Sequence, residues 1–130
     1  MGYREVYSAW QADPEGFWMQ AAGAIDWERK PSKALFDDKA PIYEWFSDGM
    51  VNTCWNAVDR HVLAGRGDQI AIQHESPITL STKGITYRQL QERVASLAGA
   101  LRMRGVEKGD RVIIYMPMIP EALEAMLACA

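Results

Sequence analysis

The 130-residue sequence lacks the features that would place it in a membrane or on nucleic acid. It has no apolar run of the roughly 18–20 residues that a membrane-spanning helix needs, so we expect no membrane partner. Its formal net charge is −3 at pH 7, from 14 basic and 17 acidic residues that are well mixed. Because no basic face could cover phosphates, we expect no nucleic-acid partner either.

Cysteines and targeting signals are also scarce. The two cysteines, Cys54 and Cys129, lie far apart and match no metal-ligand spacing. Both fall in apolar helical patterns, which predicts buried free thiols rather than a disulfide. The N-terminus lacks the apolar core of a signal peptide, and Glu5 is an early acid unlike a transit peptide. These features predict a cytoplasmic protein.

The usual catalytic patterns are missing as well. Lys83-Gly84 is too isolated to be a phosphate-binding loop, which needs several close glycines. His61 and His74 have no nucleophile or metal-ligand partner at a useful spacing, which is typical of packing histidines. Arg66-Gly67-Asp68 matches a cell-adhesion tripeptide, but a helix-to-strand turn is the simpler interpretation. The residues therefore predict no catalytic, cofactor-binding or metal-binding residue in the chain.

Aromatic residues are concentrated in the first 55 positions, which hold all five Trp and all three Phe. Asp13-Pro14-Glu15 predicts a helix start, because Asp caps the helix, Pro suits its first position and Glu opposes its dipole. That helix would turn five apolar residues towards a partner surface: Phe17, Trp18, Ala21, Ala22 and Ile25. Large rings bury much area each. We predict that residues 1–51 form an N-terminal extension that wraps a larger body, with a ligand-binding aromatic cage as the alternative.

A regular pattern begins at Asn52. A helix capped by Thr53 is predicted up to Gly65 and Gly67, because its apolar positions follow helical spacing. The next segment, residues 69–74, is predicted as a strand with Ile70 and Ile72 on one face. A second extended piece follows it, so the two predict a hairpin.

A long helix and a last strand-helix pair complete the pattern. Thr86 and Gln89 form a capping box before a long amphipathic helix that ends at Gly105. Five consecutive apolar residues within 111–116 predict a strand covered on both faces, as in a parallel sheet. Pro120-Glu121 predicts the start of a final helix that buries Leu123, Met126, Leu127 and Ala130. This order predicts an α/β class, with residues 52–130 as the start of a doubly wound, mostly parallel-sheet domain.

That final helix has no closing signal at Cys129-Ala130, which is unusual in a finished domain. We therefore expect an incomplete domain, the opening piece of a longer protein. Its uncovered apolar residues predict that the isolated chain self-associates, and its natural partner would be the rest of its own chain.

Several segments together resemble the acetyl- and propionyl-CoA synthetases, a branch of the adenylate-forming acyl-CoA synthetases. The run from Gly105 to Ala130 is the most specific part of the resemblance, with Lys108-Gly109-Asp110-Arg111-Val112 and Tyr115-Met116-Pro117-Met118-Ile119-Pro120-Glu121 close to that family's pattern. The other matching segments are Tyr43 to Gly49, Asn52 to His61, Gly67 to Ala71 and Thr86 to Leu90. The resemblance covers nearly the whole chain.

The resemblance implies a two-step ligase as the full-length protein. ATP and a short carboxylate would give an acyl-adenylate and pyrophosphate, and CoA would then displace AMP, with Mg²⁺ serving the first step. In that family the phosphate loop, the acyl pocket, the CoA-binding arginines and the catalytic lysine lie beyond Ala130. No catalytic, cofactor-binding or metal residue is carried over, and the isolated chain is expected to be inactive. Six matching residues receive structural roles: Asn52, Asp59, Arg60, His61, Gly109 and Asp110.

The segment Ser76-Pro77-Ile78-Thr79 resembles the propionyl branch, since acetyl-CoA synthetases usually carry a longer acidic insert there. We therefore expect propionate as the acid. An acetyl-CoA synthetase fragment is one alternative. A stand-alone interaction module of the same ancestry, binding another polypeptide through its aromatic arm, is the other, and it would need to close its last helix.

Overall fold

The structure is a computed structural model that describes residues 2–130. The chain divides into two compact units, Met1–Asn52 and Thr53–Ala130. The predicted boundary lay one residue earlier. The roles predicted for the two parts, an N-terminal extension and the start of a larger domain, stay predictions.

The first unit begins with two helices. Helix α1 (Tyr3–Ala12) was missed by the sequence analysis, although its rings sit at helical spacing. Tyr3 and Tyr7 stack with their ring centroids 5.9 Å apart, and Trp10 follows 5.5 Å from Tyr7. Helix α2 (Pro14–Ala22) begins as predicted, since the Asp13 carboxylate accepts a hydrogen bond from the Gly16 N–H at 2.9 Å.

The rest of this unit is held by a few polar bonds around small buried residues. Strands β1 (Leu35–Phe36) and β2 (Glu44–Trp45) pair antiparallel. The Trp27 indole N–H donates to the Ala22 carbonyl at 2.8 Å, and the Ala34 N–H donates to Glu15 Oε1 at 2.6 Å.

Of the five residues predicted to face a partner surface, four in α2 and Ile25 just after it, only Ala22 is buried. Phe17 is half-buried, while Trp18, Ala21 and Ile25 are exposed. Since the partner surface would lie outside this unit, the prediction for these three stays a prediction. Trp18 instead packs edge-on against Trp45, with 5.5 Å between ring centroids, which leaves part of its surface open.

The second unit begins with the predicted helical segment, which is wound more widely than an α-helix. Two π-helical turns, Trp55–Asp59 and Val62–Arg66, make up most of it. Thr53 is itself helical rather than a residue capping the segment from outside. The predicted stop is confirmed, because Gly65 adopts φ +78°, which the helix interior does not allow.

The predicted hairpin is confirmed as strands β3 (Ile70–Ser76) and β4 (Ser81–Thr86). The pairing of Ile70 with Thr86 and of Ile72 with Ile85 leaves one extra residue on β3, which is a bulge. Because of it, Ala71 and Ile72 both pack against the core while Ile70 is exposed. The prediction that Ile70 and Ile72 share a face was therefore wrong.

Helix α3 (Tyr87–Met103) follows the prediction at both ends. The Gln89 side chain accepts from the Thr86 N–H at 3.0 Å, and the Thr86 hydroxyl accepts from the Gln89 N–H at 3.3 Å. At the other end Gly105 adopts φ +86°, and the Val106 N–H reaches back to the Leu101 carbonyl at 3.1 Å.

The core of this unit lies between α3, the hairpin, the π-helical turns and α4 (Pro120–Cys129). Its buried members are Val58, Ile85, Leu90, Val94 and Leu127. In α4 only Leu127 is buried as predicted, whereas Leu123, Met126 and Ala130 are exposed. The other elements of this unit leave these three residues uncovered, so their burial in the complete domain stays a prediction.

Residues 111–116 differ most from expectation. Within residues 2–130 they belong to no strand, and both sheets of the described chain are antiparallel pairs. Ile113 is 90% exposed and Tyr115 98% exposed, as expected for an incomplete domain, and coverage of both faces in the complete domain stays a prediction. A continuous apolar run is typical of a strand that neighbouring layers cover on both faces. The described residues supply no such layer over Ile113 and Tyr115.

Candidate functional site

Asp59, one of the residues matched to a structural role, links the π-helical segment to helix α3. Its Oδ1 accepts a hydrogen bond from Gln91 Nε2 at 2.7 Å in a partly buried position. The Cys54 thiol also hydrogen-bonds to this carboxylate. Burial first, and then the negative charge of Asp59, raise the pKa of Cys54. Its thiol is therefore protonated at neutral pH and a poor nucleophile.

His61 lies in a small cluster of basic and aromatic groups. Arg66 Nη2 donates a hydrogen bond to His61 Nδ1. The imidazole meets the Tyr87 ring edge-on with 5.0 Å between centroids, and the Arg66 guanidinium lies 6.0 Å from the same ring. Partial burial and the positive charges of Arg66 and Arg60 lower the pKa of His61. The imidazole thus packs as a neutral acceptor.

Asp110 and Gly109 form a closed turn after helix α3. Asp110 Oδ2 accepts from the Glu107 N–H at 2.9 Å, and the Asp110 N–H donates to the Glu107 carbonyl at 3.1 Å. Gly109 adopts φ +100°, a conformation that side-chain-bearing residues rarely take. Local geometry accounts for both residues.

The two short motifs Lys83-Gly84 and Arg66-Gly67-Asp68 have structural roles. Lys83 and Gly84 lie within strand β4, so their backbone belongs to the hairpin ladder rather than to a phosphate-binding loop. Gly67 is buried beneath the Arg88 side chain, whose guanidinium would meet any Cβ at 2.6 Å. Asp68 is exposed and pairs with Arg88 at 3.5 Å. The tripeptide is therefore a packed turn.

An ion pair between α3 and α4 was missed by the sequence analysis. Arg93 Nη1 donates to Glu124 Oε1 at 3.0 Å, and Glu124 is only 8% exposed. The available signal was an acid inside the apolar stripe of α4, beside Leu123 and Leu127. This pair holds two helices of the second unit together.

The cysteines differ from expectation in one respect. Both are free, but Cys54 is half-buried and Cys129 is exposed, so the predicted burial was wrong for Cys129. Among residues 2–130, no three His, Cys, Asp or Glu side chains gather into a group that could hold a metal ion. No helix in this range combines the length and apolar character needed to cross a membrane.

A cleft of about 400 Å³ lies in the first unit, at the carboxyl end of α2. Its lining includes the Trp27 indole and one charge of each sign, from Asp26 and Lys30. The indole N–H is already bound to the Ala22 carbonyl. The cleft brings no nucleophile or general base together, and it contains none of the six residues matched to structural roles.

Two family matches cover nearly all of the chain. Residues 3–57 match the family described as "Acetyl-coenzyme A synthetase N-terminus". Residues 59–130 match the family described as "AMP-binding enzyme".

Individual relatives agree with these matches. The chain is 49% identical to acyl-CoA synthetase short-chain family member 3, mitochondrial, of Bos taurus, over 98% of this chain and 19% of the relative. It is also 49% identical to acetyl-coenzyme A synthetase of Bradyrhizobium sp. strain ORS 278, over 98% of this chain and 20% of the relative. The chain thus spans about a fifth of the length of these proteins.

A solved structure is also similar, the acetoacetyl-CoA synthetase from Streptomyces lividans. The TM-score is 0.80 at 29% sequence identity, over 98% of this chain and 20% of that one. The likeness confirms the predicted α/β class.

Proposed function

The chain belongs to the AMP-binding enzyme family, and on that premise we propose that it forms the N-terminal region of an ATP-dependent short-chain acyl-CoA ligase. The observation that carries the proposal is the order of the two family matches. A segment similar to the N-terminus of acetyl-coenzyme A synthetase, residues 3–57, runs directly into the AMP-binding match at residue 59. The relatives' names supply the reaction class.

The proposed reaction joins a short carboxylate to CoA and converts ATP to AMP and pyrophosphate. Residues 2–130 contain neither a glycine-rich phosphate loop nor a group of three metal-ligating side chains. ATP, Mg²⁺ and CoA are assigned to the four fifths of the relatives' length that the chain does not span. The contribution of this chain is structural: its caps, core and interhelical bonds build one part of the enzyme's large domain.

Propionate is the proposed acid. The support is the resemblance of residues 76–79 to the propionyl branch. These residues form the tip of the β3–β4 hairpin, where Ile78 is 93% exposed, and so they mark lineage rather than contact the substrate. Acetate is the second candidate, favoured by the 49% identity to the Bradyrhizobium acetyl-coenzyme A synthetase.

The test is an assay of the full gene product with ATP, Mg²⁺, CoA and each acid. Pyrophosphate release and thioester formation are expected, with propionate preferred over acetate in kcat/KM. One methylene in an apolar pocket is worth about 10–200-fold. A preference for acetate would contradict the proposal of propionate as the acid. The absence of both products would contradict the ligase proposal.

Two further proposals concern the cellular location of the protein and the self-association of the isolated chain. We place it in the cytoplasm, supported by free Cys54 and Cys129, which suit a reducing compartment. Cell fractionation of the full gene product tests this. The isolated chain is proposed to self-associate, supported by the exposure of Ile113, Tyr115 and Met118.

A further inference from the structure

Four basic side chains gather where the π-helical segment ends and helix α3 begins. They are Arg60, His61, Arg66 and Arg88. Arg66 Nη2 donates to His61 Nδ1, and these two side chains lie against the Tyr87 ring, at 6.0 and 5.0 Å from its centroid. Arg88 joins them at Gly67, because its guanidinium covers this glycine and its backbone N–H donates to the Gly67 carbonyl at 3.0 Å. Contacts within the second unit therefore bring the four groups together.

Few carboxylates offset the positive charge of this cluster. Asp68 pairs with Arg88 at 3.5 Å, but its side chain is 94% exposed. Among residues 2–130, no carboxylate forms an ion pair with Arg66. The Asp59 carboxylate accepts its hydrogen bond from helix α3 instead. The cluster is thus a positive patch on a chain whose formal net charge is −3.

The charges of the cluster act on the imidazole of His61. After burial, the positive charges of Arg66 and then of Arg60 lower the pKa of His61. The group that packs against the imidazole from helix α3 is the Tyr87 ring, which brings no carboxylate. An anion placed beside these groups would offset the repulsion between them and favour the charged imidazole.

The guanidinium groups favour phosphate over other anions. Each is planar and carries five N–H donors in a fixed fork, which matches two phosphate oxygens at once. Arg66 and Arg88 are both exposed, so a ligand can reach them from solvent. Their side chains are also held in place by the Tyr87 ring and by Gly67. Groups that are ordered before binding lose little conformational entropy when the ligand arrives.

We propose that Arg66 and Arg88, with His61 beside them, form a binding site for the phosphate group of a small molecule. The two guanidinium groups donate to the phosphate oxygens, and His61 takes up a proton from solvent as the anion binds. The site goes beyond the proposed ligase function, because it requires neither a carboxylate substrate nor CoA.

The test is a titration of the chain followed by NMR. Inorganic phosphate and pyrophosphate are added at a fixed ionic strength of about 0.15 M, which screens exposed charges beyond about 8 Å. The imidazole resonances of His61 are expected to change saturably, and the pKa of His61 is expected to rise when phosphate is bound. His74 on strand β3 is the internal control, and its resonances should stay unchanged. Citrate at matched charge should bind more weakly than pyrophosphate.

Three variants and one control separate the site from net charge. Arg66→Gln and Arg88→Gln should each weaken binding about tenfold, because each removes a charged donor group. Arg102→Gln makes the same change at the other end of helix α3 and should bind like wild type. Asp68→Asn should bind phosphate about threefold more tightly, since it removes the carboxylate that competes for Arg88. A folding defect would not produce that gain.

Circular dichroism checks that all variants fold. Equal binding of citrate and pyrophosphate, or equal weakening by Arg102→Gln and Arg66→Gln, overturns the inference, because either result indicates attraction by charge alone. The absence of a saturable change at His61 up to about 20 mM pyrophosphate also overturns it. None of these results depends on thioester formation, so the phosphate site and the ligase proposal fail separately.

Discussion

Arg93 on helix α3 donates a 3.0 Å hydrogen bond to the carboxylate of Glu124 on helix α4, and the carboxylate is almost completely buried. A buried ion pair contributes little net stability, but a single remaining buried charge is strongly destabilising. This pair links helices α3 and α4 of the second unit. Replacing one partner alone should therefore lower the stability more than replacing both partners together.

Arg93→Met is expected to lower the free energy of unfolding by about 3 kcal/mol, because it leaves Glu124 buried and unpaired. The double variant Arg93→Met/Glu124→Leu should recover most of that loss. Urea unfolding at fixed protein concentration measures both, with Arg102→Met, an exposed change on the same helix, as control. Equal stability of wild type and Arg93→Met would show that the carboxylate finds another partner.

Thr86→Ala is expected to cost about 1 kcal/mol of stability, since the hydroxyl caps the Gln89 N–H at the start of α3. Thr86→Ser keeps the cap and should unfold close to wild type. Thermal unfolding followed by circular dichroism distinguishes the two. A loss as large for Ser as for Ala would assign the effect to the methyl group rather than to the hydrogen bond.

Stability should depend on pH through His61. Burial and the charges of Arg66 and Arg60 lower its pKa in the folded state below about 6.5, the usual unfolded value. As pH falls through that value the unfolded chain binds a proton that the folded chain does not, so stability decreases as pH falls towards the folded pKa. Urea midpoints between pH 5 and 7.5 measure this decrease.

His61→Gln should flatten that part of the pH profile, and Arg66→Gln should reduce its slope by removing one of the charges that oppose protonation. An unchanged profile in His61→Gln would assign the pH dependence to other groups.

The isolated chain is expected to self-associate at low micromolar concentration, because Ile113, Tyr115 and Met118 are almost fully exposed. Sedimentation velocity measures it directly. The double variant Ile113→Asp/Tyr115→Asp should shift the distribution towards monomer, and Ile78→Asp should not. A wild-type monomer with a cooperative melt and no dye-binding apolar surface would contradict this prediction.

The sequence predicted those elements whose signals are local. The Thr86–Gln89 capping box, the Asp13 cap and the glycine stop at Gly105 each depend on side chains and backbone within a few residues. Their geometry therefore depends on neighbouring residues rather than on long-range contacts. All three are present in the structure.

Predictions from the sequence were wrong or missing where tertiary contacts decide the outcome. The apolar run at residues 111–116 predicted a strand, but within residues 2–130 no strand pairs with it, because pairing depends on elements that a local pattern cannot supply. The bulge at Ala71 reversed the expected facing of Ile70, because one extra residue changes the alternation. The burial of Glu124 was not predicted, because an acid in an apolar stripe is explained only by its partner on another helix, Arg93. No catalytic residue was predicted in this chain, and that absence stays a prediction.

The central claim is that this chain works as the N-terminal region of a short-chain acyl-CoA ligase. The most direct measurement replaces the matching fifth of the Bradyrhizobium acetyl-coenzyme A synthetase with this chain and assays thioester formation from acetate, ATP and CoA. The chimera should keep kcat/KM within about tenfold of its parent, a barrier change of at most about 1.4 kcal/mol. The chain alone should release no pyrophosphate, and a chimera carrying Ile85→Asp in the buried core should be inactive. A soluble, folded chimera without activity, or pyrophosphate release by the chain alone, would contradict the claim.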